Sequence, residues 1–132
     1  MSETTHSNHP TSRPQISRSL RSASAIAARR ALLREPHIAP LTKYVAGLRR
    51  SHPTWEFPDF DPFDGGVDAT ILLLFEKPGP MTSAAAGGSG FISRDNDDPS
   101  AEATFRFMQE ARLPLEQIVT KAGCVSPILH TA

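Results

Sequence analysis

Ala69 to Phe75 (ATILLLF) constrains the fold more than any other stretch of the chain. It is rich in β-formers and apolar on both alternating faces, the pattern of a strand covered on two sides as in a parallel sheet. A second element follows at helical period. Asp98 suits the cap position and Pro99 the first turn, while Ala101, Phe105, Met108 and Ala111 recur at spacings of 4, 3 and 3, predicting a helix to about Arg112. Leu113–Pro114 then turns the chain, and Leu115 to Thr120 (LEQIVT) reads as a second strand, completing a strand–loop–helix–strand unit. Between strand and helix runs a loop from Glu76 to about Asp97, rich in Gly, Pro and Ser. Loops of that length are uncommon in compact domains unless they carry function.

The chain has 132 residues, enough for one domain and too few for two. From Met1 to about Ser17 apolar residues are nearly absent, so burial cannot offset ordering entropy and the segment is expected to be disordered. Ser19 to Arg34 is rich in Ala, Leu and Arg, with Leu20, Ala23, Ala27 and Leu33 as a partial stripe, and predicts a helix. Pro36 fits the first turn of another, carried by Ile38, Leu41, Val45 and Leu48 and closed by Arg49 and Arg50 before Pro53. Residues 53 to 68 (PTWEFPDFDPFDGGVD) read as a loop whose aromatics lie against the body. The expected organisation is an arm over residues 1–18 and a domain over 19–132.

Fourteen basic and fourteen acidic residues cancel, but not locally. Residues 1 to 53 hold nine basic side chains and two acidic ones, and the remainder five and twelve, so a basic half of +7 precedes an acidic half of −7. A basic arm can bind nucleic-acid phosphates through Arg29, Arg30, Arg49 and Arg50, or be a solvated tail, and composition weighs these equally. The Ser- and Arg-rich start has the composition of an organellar transit peptide, although Pro10 and Pro14 and a patchy apolar pattern fit a disordered arm better. Cys124 is the only cysteine, which excludes an internal disulfide or a Cys-rich metal or cluster site and suits a reducing, cytoplasmic setting. No apolar run approaches the roughly 18 residues of a membrane span.

Asp59, Asp61, Asp64 and Gly65 approach a calcium loop, but the spacing is off by one and Pro62 and Phe63 intrude. His6, His9, His37, His52 and His130 form no i, i+4 pair, so no metal site is expected. Trp55, Phe57, Phe60 and Phe63 could stack bases, but among acids they fit the edge of a core better. The segment EKPGPMTSAAAGGSGFISRDN, residues 76 to 96, lies where open α/β sheets place their ligands, outside the carboxyl end of a strand.

That strand, the EKPGP loop and the following GGSGFISRDNDDPSAEATFRFM resemble the uracil-DNA glycosylase superfamily over roughly Leu32 to Thr120. The closest likeness is to bacterial uracil-DNA glycosylase-like proteins. The resemblance implies a three-layer α/β/α domain with a parallel sheet, of which this chain holds the amino-terminal part, and hydrolysis of the N-glycosidic bond of uracil in DNA. It implies Glu76 as the catalytic carboxylate placing water and stabilising the cationic sugar, Pro78, Gly79 and Gly90 as backbone around the substrate, and Phe91 as the ring on which the flipped base stacks. It transfers no role to Ser93 or Arg94. No cofactor is implied, the partner is uracil-containing DNA, and a monomer is expected.

The family's later donors are an Asn on the next strand and a His in a His-Pro-Ser-type loop. Here the chain continues TKAGCVSPILHTA, with no Asn after Asn96 and His130 as its only late histidine. The sequence therefore reads as an incomplete, truncated form with an atypical tail over 121–132, expected to be inactive. The competing reading is a non-enzymatic nucleic-acid-binding fragment acting through the arginine-rich arm.

Overall fold

A computed structural model of the chain describes residues 16–76, 78–114 and 117–122. Its elements run α1 (Ala23–Arg30), α2 (Ala39–Ser51), β1 (Asp59–Phe60), β2 (Ile71–Phe75), β3 (Phe91–Ile92), α3 (Pro99–Ala111) and β4 (Ile118–Ala122), with short 3-10 turns at Ser19–Arg21, Gly66–Asp68 and Pro80–Thr82. The fold is mixed α/β. Its strands form two parallel pairs, β1 with β3 and β2 with β4.

The first predicted helix is shorter than its composition suggests. Ser22 caps α1 by accepting a hydrogen bond from the Ala25 N–H at 3.2 Å, and the chain leaves the helix after Arg30 through turns. The second helix starts at Ala39, three residues beyond the expected Pro36, and its first-turn proline is Pro40. Its apolar stripe behaves as read. Ile38, Val45, Phe57 and Phe60 form the buried core, flanked by Leu41, Leu48, Trp55 and Val119. Burial of such side chains stabilises by about 1.5–3 kcal/mol each.

The loop over 53–68 lies deep, as its aromatics suggest, and carries β1. Gly66 adopts φ +59°, and a Cβ there would lie 2.0 Å from the His37 carbonyl oxygen, so only glycine fits. That carbonyl accepts from the Val67 N–H at 2.8 Å, and the His37 Nε2–H donates to the Pro62 carbonyl at 2.6 Å.

The strand–loop–helix–strand unit is present. β2 and β4 pair in parallel from Ile71 with Ile118 to Phe75 with Ala122, and α3 forms the crossover. Asp98 caps α3, accepting from the Ala101 N–H at 2.7 Å, and Arg112 ends it in the left-handed conformation. Two expectations need correction. The long loop is divided by β3, which pairs with β1 through Asp59 and Phe91. β2 is also not covered on both faces, because Leu72 and Leu74 are 57% and 66% exposed. Among the described residues β2 has one strand partner and nothing sheaths its outward side chains.

The charge asymmetry of the sequence closes on itself. Arg18 reaches Glu102 at 2.9 Å and Asp97 at 3.3 Å, and Arg21 lies 3.8 Å from Asp97. Arg29 binds Asp61 and Asp95, while Arg30 and Arg49 meet Asp59. The expected arm boundary at residue 18 falls within this docked segment, and the sequence predicted to be disordered before residue 16 lies outside the described residues.

Arg29 is the test of this arrangement. Its Nη1 lies 2.9 Å from both Asp61 oxygens and its Nη2 3.3 Å from Asp95 Oδ2, with all three side chains almost fully buried. Arg29→Ala takes the Arg29 cation from two buried carboxylates, and the expected loss is about 3–5 kcal/mol, a large part of the stability of a small domain. Urea denaturation followed by circular dichroism measures it, and an unchanged midpoint would refute the assignment.

The Arg18 contact carries a pH dependence. Its hydrogen bond holds the Glu102 carboxyl below the ordinary glutamate range and raises Arg18. Because the folded-state value of Glu102 is the lower one, its contribution is present above the unfolded value and is lost as pH falls through the folded one. Leu20, whose N–H donates to the Asp95 carbonyl at 2.9 Å, reports on the docking. Its amide protection, corrected for intrinsic exchange, should fall on acidification through the carboxylate range, and Glu102→Gln should flatten that dependence.

Candidate functional site

A cavity of about 540 Å³ opens where the carboxyl end of β2 faces the first turn of α3. Phe75 enters from β2, Glu76, Pro78, Gly79 and Pro80 from the loop after it, Ile92, Ser93 and Arg94 from β3 and its continuation, Asp98 to Ala101 from the cap and first turn of α3, and Thr120 from β4. This is the topological position at which parallel α/β units bind ligands. Prolines, Ile92, Phe75 and Ala101 give apolar walls, and a few carboxylate, hydroxyl, amide and guanidinium groups interrupt them. Such a lining suits a small, partly polar organic molecule.

The polar wall is held by an internal network. Ser89 Oγ–H donates to Asn96 Oδ1 at 2.5 Å, Asn96 Nδ2 donates to the Phe91 carbonyl at 2.9 Å, and the Phe91 N–H donates to Ser89 Oγ at 3.1 Å. Ser93 Oγ–H donates to Asp61 Oδ2 at 2.5 Å and accepts from the Asp95 N–H at 3.0 Å. Arg94, 5% exposed, contacts Met108 Sδ and lies 3.9 Å from Asp64 Oδ1. The loop is thus fixed by buried polar contacts, which strengthen one another in a low-dielectric interior.

Of the residues expected from sequence, Glu76, Pro78 and Gly79 line the cavity. Glu76 is exposed at its edge and Pro78 is buried. Gly79 has no atom within 4 Å of where a Cβ would stand, so no close approach requires glycine there. Gly90, at φ +83°, lies beside Arg30 instead, where a Cβ would sit 2.7 Å from Nη2. Phe91 also departs from expectation. It is fully buried, and the Arg30 guanidinium covers its ring at 4.9 Å from the centroid. Alternation along β3 explains this, because Ile92 takes the cavity side and Phe91 the opposite one.

The four arginines proposed for DNA separate into two groups. Arg29 is 2% exposed, locked to Asp61 and Asp95 and stacked 4.0 Å over Phe63, so it cannot reach a phosphate. Arg30, Arg49 and Arg50 reach the surface. Sequence reading missed Ser93, Arg94, Asn96 and Thr120 as cavity residues. The dense polar run SRDND directly after a Gly-Phe-Ile strand was the available signal.

Among the described residues no cluster of three His, Cys, Asp or Glu side chains could hold a metal ion, and no helix is long and apolar enough to cross a membrane. Compared with known protein families, curated proteins and solved structures, the chain matches none.

Asn96→Ala removes the amide that ties Ser89 to Phe91. The expected cost is about 1–3 kcal/mol, since the Phe91 carbonyl and Ser89 hydroxyl lose a buried partner. Faster amide exchange across residues 89–96, with α2 unchanged, is the expected signature.

Proposed function

We propose that the cavity is the base-binding pocket of a uracil-DNA glycosylase-like domain. The observation that carries the reading is that Glu76 and Pro78 to Pro80 border a cavity of about 540 Å³, room for a whole nucleotide, at the carboxyl end of a parallel strand, with the first turn of α3 opposite. A uracil nucleotide turned out of its strand would place its flat ring between the apolar walls. Glu76 would sit toward the sugar. Hydrolysis breaks the C1′–N1 bond, sends the electron pair to uracil and leaves a cationic sugar that a carboxylate stabilises while water adds at C1′.

Glu76 accounts for only half of this chemistry. The departing uracil anion needs donors, but no histidine lines the cavity among the described residues, and the Asn96 amide is held by Ser89 and Phe91. The expectation is therefore uracil recognition with little or no turnover by these groups. With Phe91 covered by Arg30, stacking on the base falls to Phe75 or Ile92.

Two measurements test the reading. In a uracil titration followed by NMR, amide shifts should cluster at residues 75–80 and 92–101, and Glu76→Ala should leave the helices α1 and α2 unaffected. Shifts scattered outside this cavity would end the proposal. Uracil release from a deoxyuridine-containing oligonucleotide is expected to match the Glu76→Ala control, whereas release that depends on Glu76 would show that the leaving-group donors are complete.

A further inference from the structure

Arg30 closes the carboxyl end of α1, and Arg49 stands in the last turn of α2. Their guanidinium groups converge on a single oxygen, Asp59 Oδ2, at 3.3 and 3.4 Å. Asp59 is 2% exposed, while the two arginine side chains are 47% and 45% exposed. One carboxylate thus faces two cations, leaving one positive charge uncompensated within the triad. The neighbouring acids along the chain are already engaged, Asp61 by Arg29 at 2.9 Å and Glu56 by Ser83 Oγ at 2.6 Å and the Ala85 N–H at 3.3 Å.

Both heads are held in place. Arg30 lies over the Phe91 ring, and Arg49 Nη2 donates to the Phe57 carbonyl at 2.7 Å. A stacked guanidinium keeps its in-plane N–H donors at its rim, and each head carries five of them. Contact with Asp59 uses one nitrogen of each. Because both reach the same atom, their outer edges stand close enough to bracket the oxygens of one phosphate, the geometry at which arginine surpasses lysine.

We propose that Arg30 and Arg49 form a two-arginine clamp for a phosphodiester of a single-stranded nucleic acid, with Asp59 as the internal anion that holds the clamp open and competes with the phosphate. The clamp lies across β3 from the cavity, since Phe91 faces Arg30 and Ile92 faces the cavity. It does not require the glycosylase reading, and a uracil-free probe keeps the two separable.

The test is fluorescence anisotropy of a labelled, uracil-free single-stranded DNA oligonucleotide across a salt series. Arg30→Ala combined with Arg49→Ala should weaken binding about tenfold or more at low salt and make the log–log salt slope shallower by about 0.7 per arginine. Asp59→Asn, provided its thermal transition is retained, should tighten binding more than Glu110→Gln, which removes one exposed acid and so reports the effect of diffuse charge alone. Arg30→Lys keeps the charge but loses the planar fork and the stacking, so it should show a partial loss in a fold left intact. Arg34→Ala with Lys43→Ala, two exposed basic side chains outside the clamp, is the control and should change affinity only slightly. Equal losses in the control and the double variant would overturn the clamp, as would wild-type affinity in the double variant. Displacement of the oligonucleotide by inorganic phosphate at matching phosphate concentration would overturn the nucleic-acid assignment in favour of a small-anion site.

Discussion

The buried cluster of Arg29, Asp61 and Asp95 holds the two halves of the chain together. Moving a guanidinium and two carboxylates out of water costs several kcal/mol per ion, and attraction repays it only where geometry and further hydrogen bonds are good. Here Arg29 touches both oxygens of Asp61, reaches Asp95 and lies over Phe63, while Asp61 also accepts from Ser93 and the Phe63 N–H. Such a cluster adds less to net stability than its contacts suggest. What it fixes is arrangement, because α1, the segment after β1 and the segment after β3 must all meet at Arg29.

The cavity inherits its polar wall from that centre. Ser93 bridges Asp61 and the Asp95 backbone, and the neighbouring Arg94 and Asn96 face the cavity from the same turn. A basic helix far from the pocket in sequence therefore sets the pocket's wall. Leu20 adds a second tie through the Asp95 carbonyl, and Arg18 a third through Asp97 and Glu102 at the start of α3.

Local signals were legible where they were regular. The Asp98 cap, Pro99 and the apolar stripe define α3, and the crossover to β4 follows from strand, helix and strand in order. The stripe of α2 was equally clear, although Pro36 drew its start too early. Long-range electrostatics were not legible. A basic half and an acidic half look like an arm awaiting a polyanion, and only tertiary structure reveals that Arg18, Arg21, Arg29, Arg30 and Arg49 each find a carboxylate within the chain. The SRDND run lay in the segment expected to carry ligands, but its individual roles were not legible because they depend on distant partners. Ser93 binds Asp61 and the Asp95 N–H, and Asn96 binds Ser89 and Phe91, which lets Ser93 to Asn96 be buried. Phe91 follows the same logic, since an aromatic in a glycine-rich loop suggests a stacking platform until a neighbouring helix supplies the cation that covers it.

The cavity also depends on how its two strand pairs meet. Ile92 and Ser93 come from the side of β1 and β3, while Phe75, Glu76 and Thr120 come from the side of β2 and β4. At the join the Gly65 N–H, in the segment after β1, donates to the Ile118 carbonyl of β4 at 2.7 Å, and the Thr70 N–H extends the β2–β4 pair by donating to the Gln117 carbonyl at 2.9 Å. Gly66 stands inside that join, in a conformation and at a distance from His37 that no side chain permits. A Cβ there would force the His37 backbone away and with it the start of α2, carrying Ile38 out of the core. The Glu76 loop is thus set by the glycine turn that begins β2, and a change at Gly66, remote from the cavity in sequence, would move the two walls relative to each other.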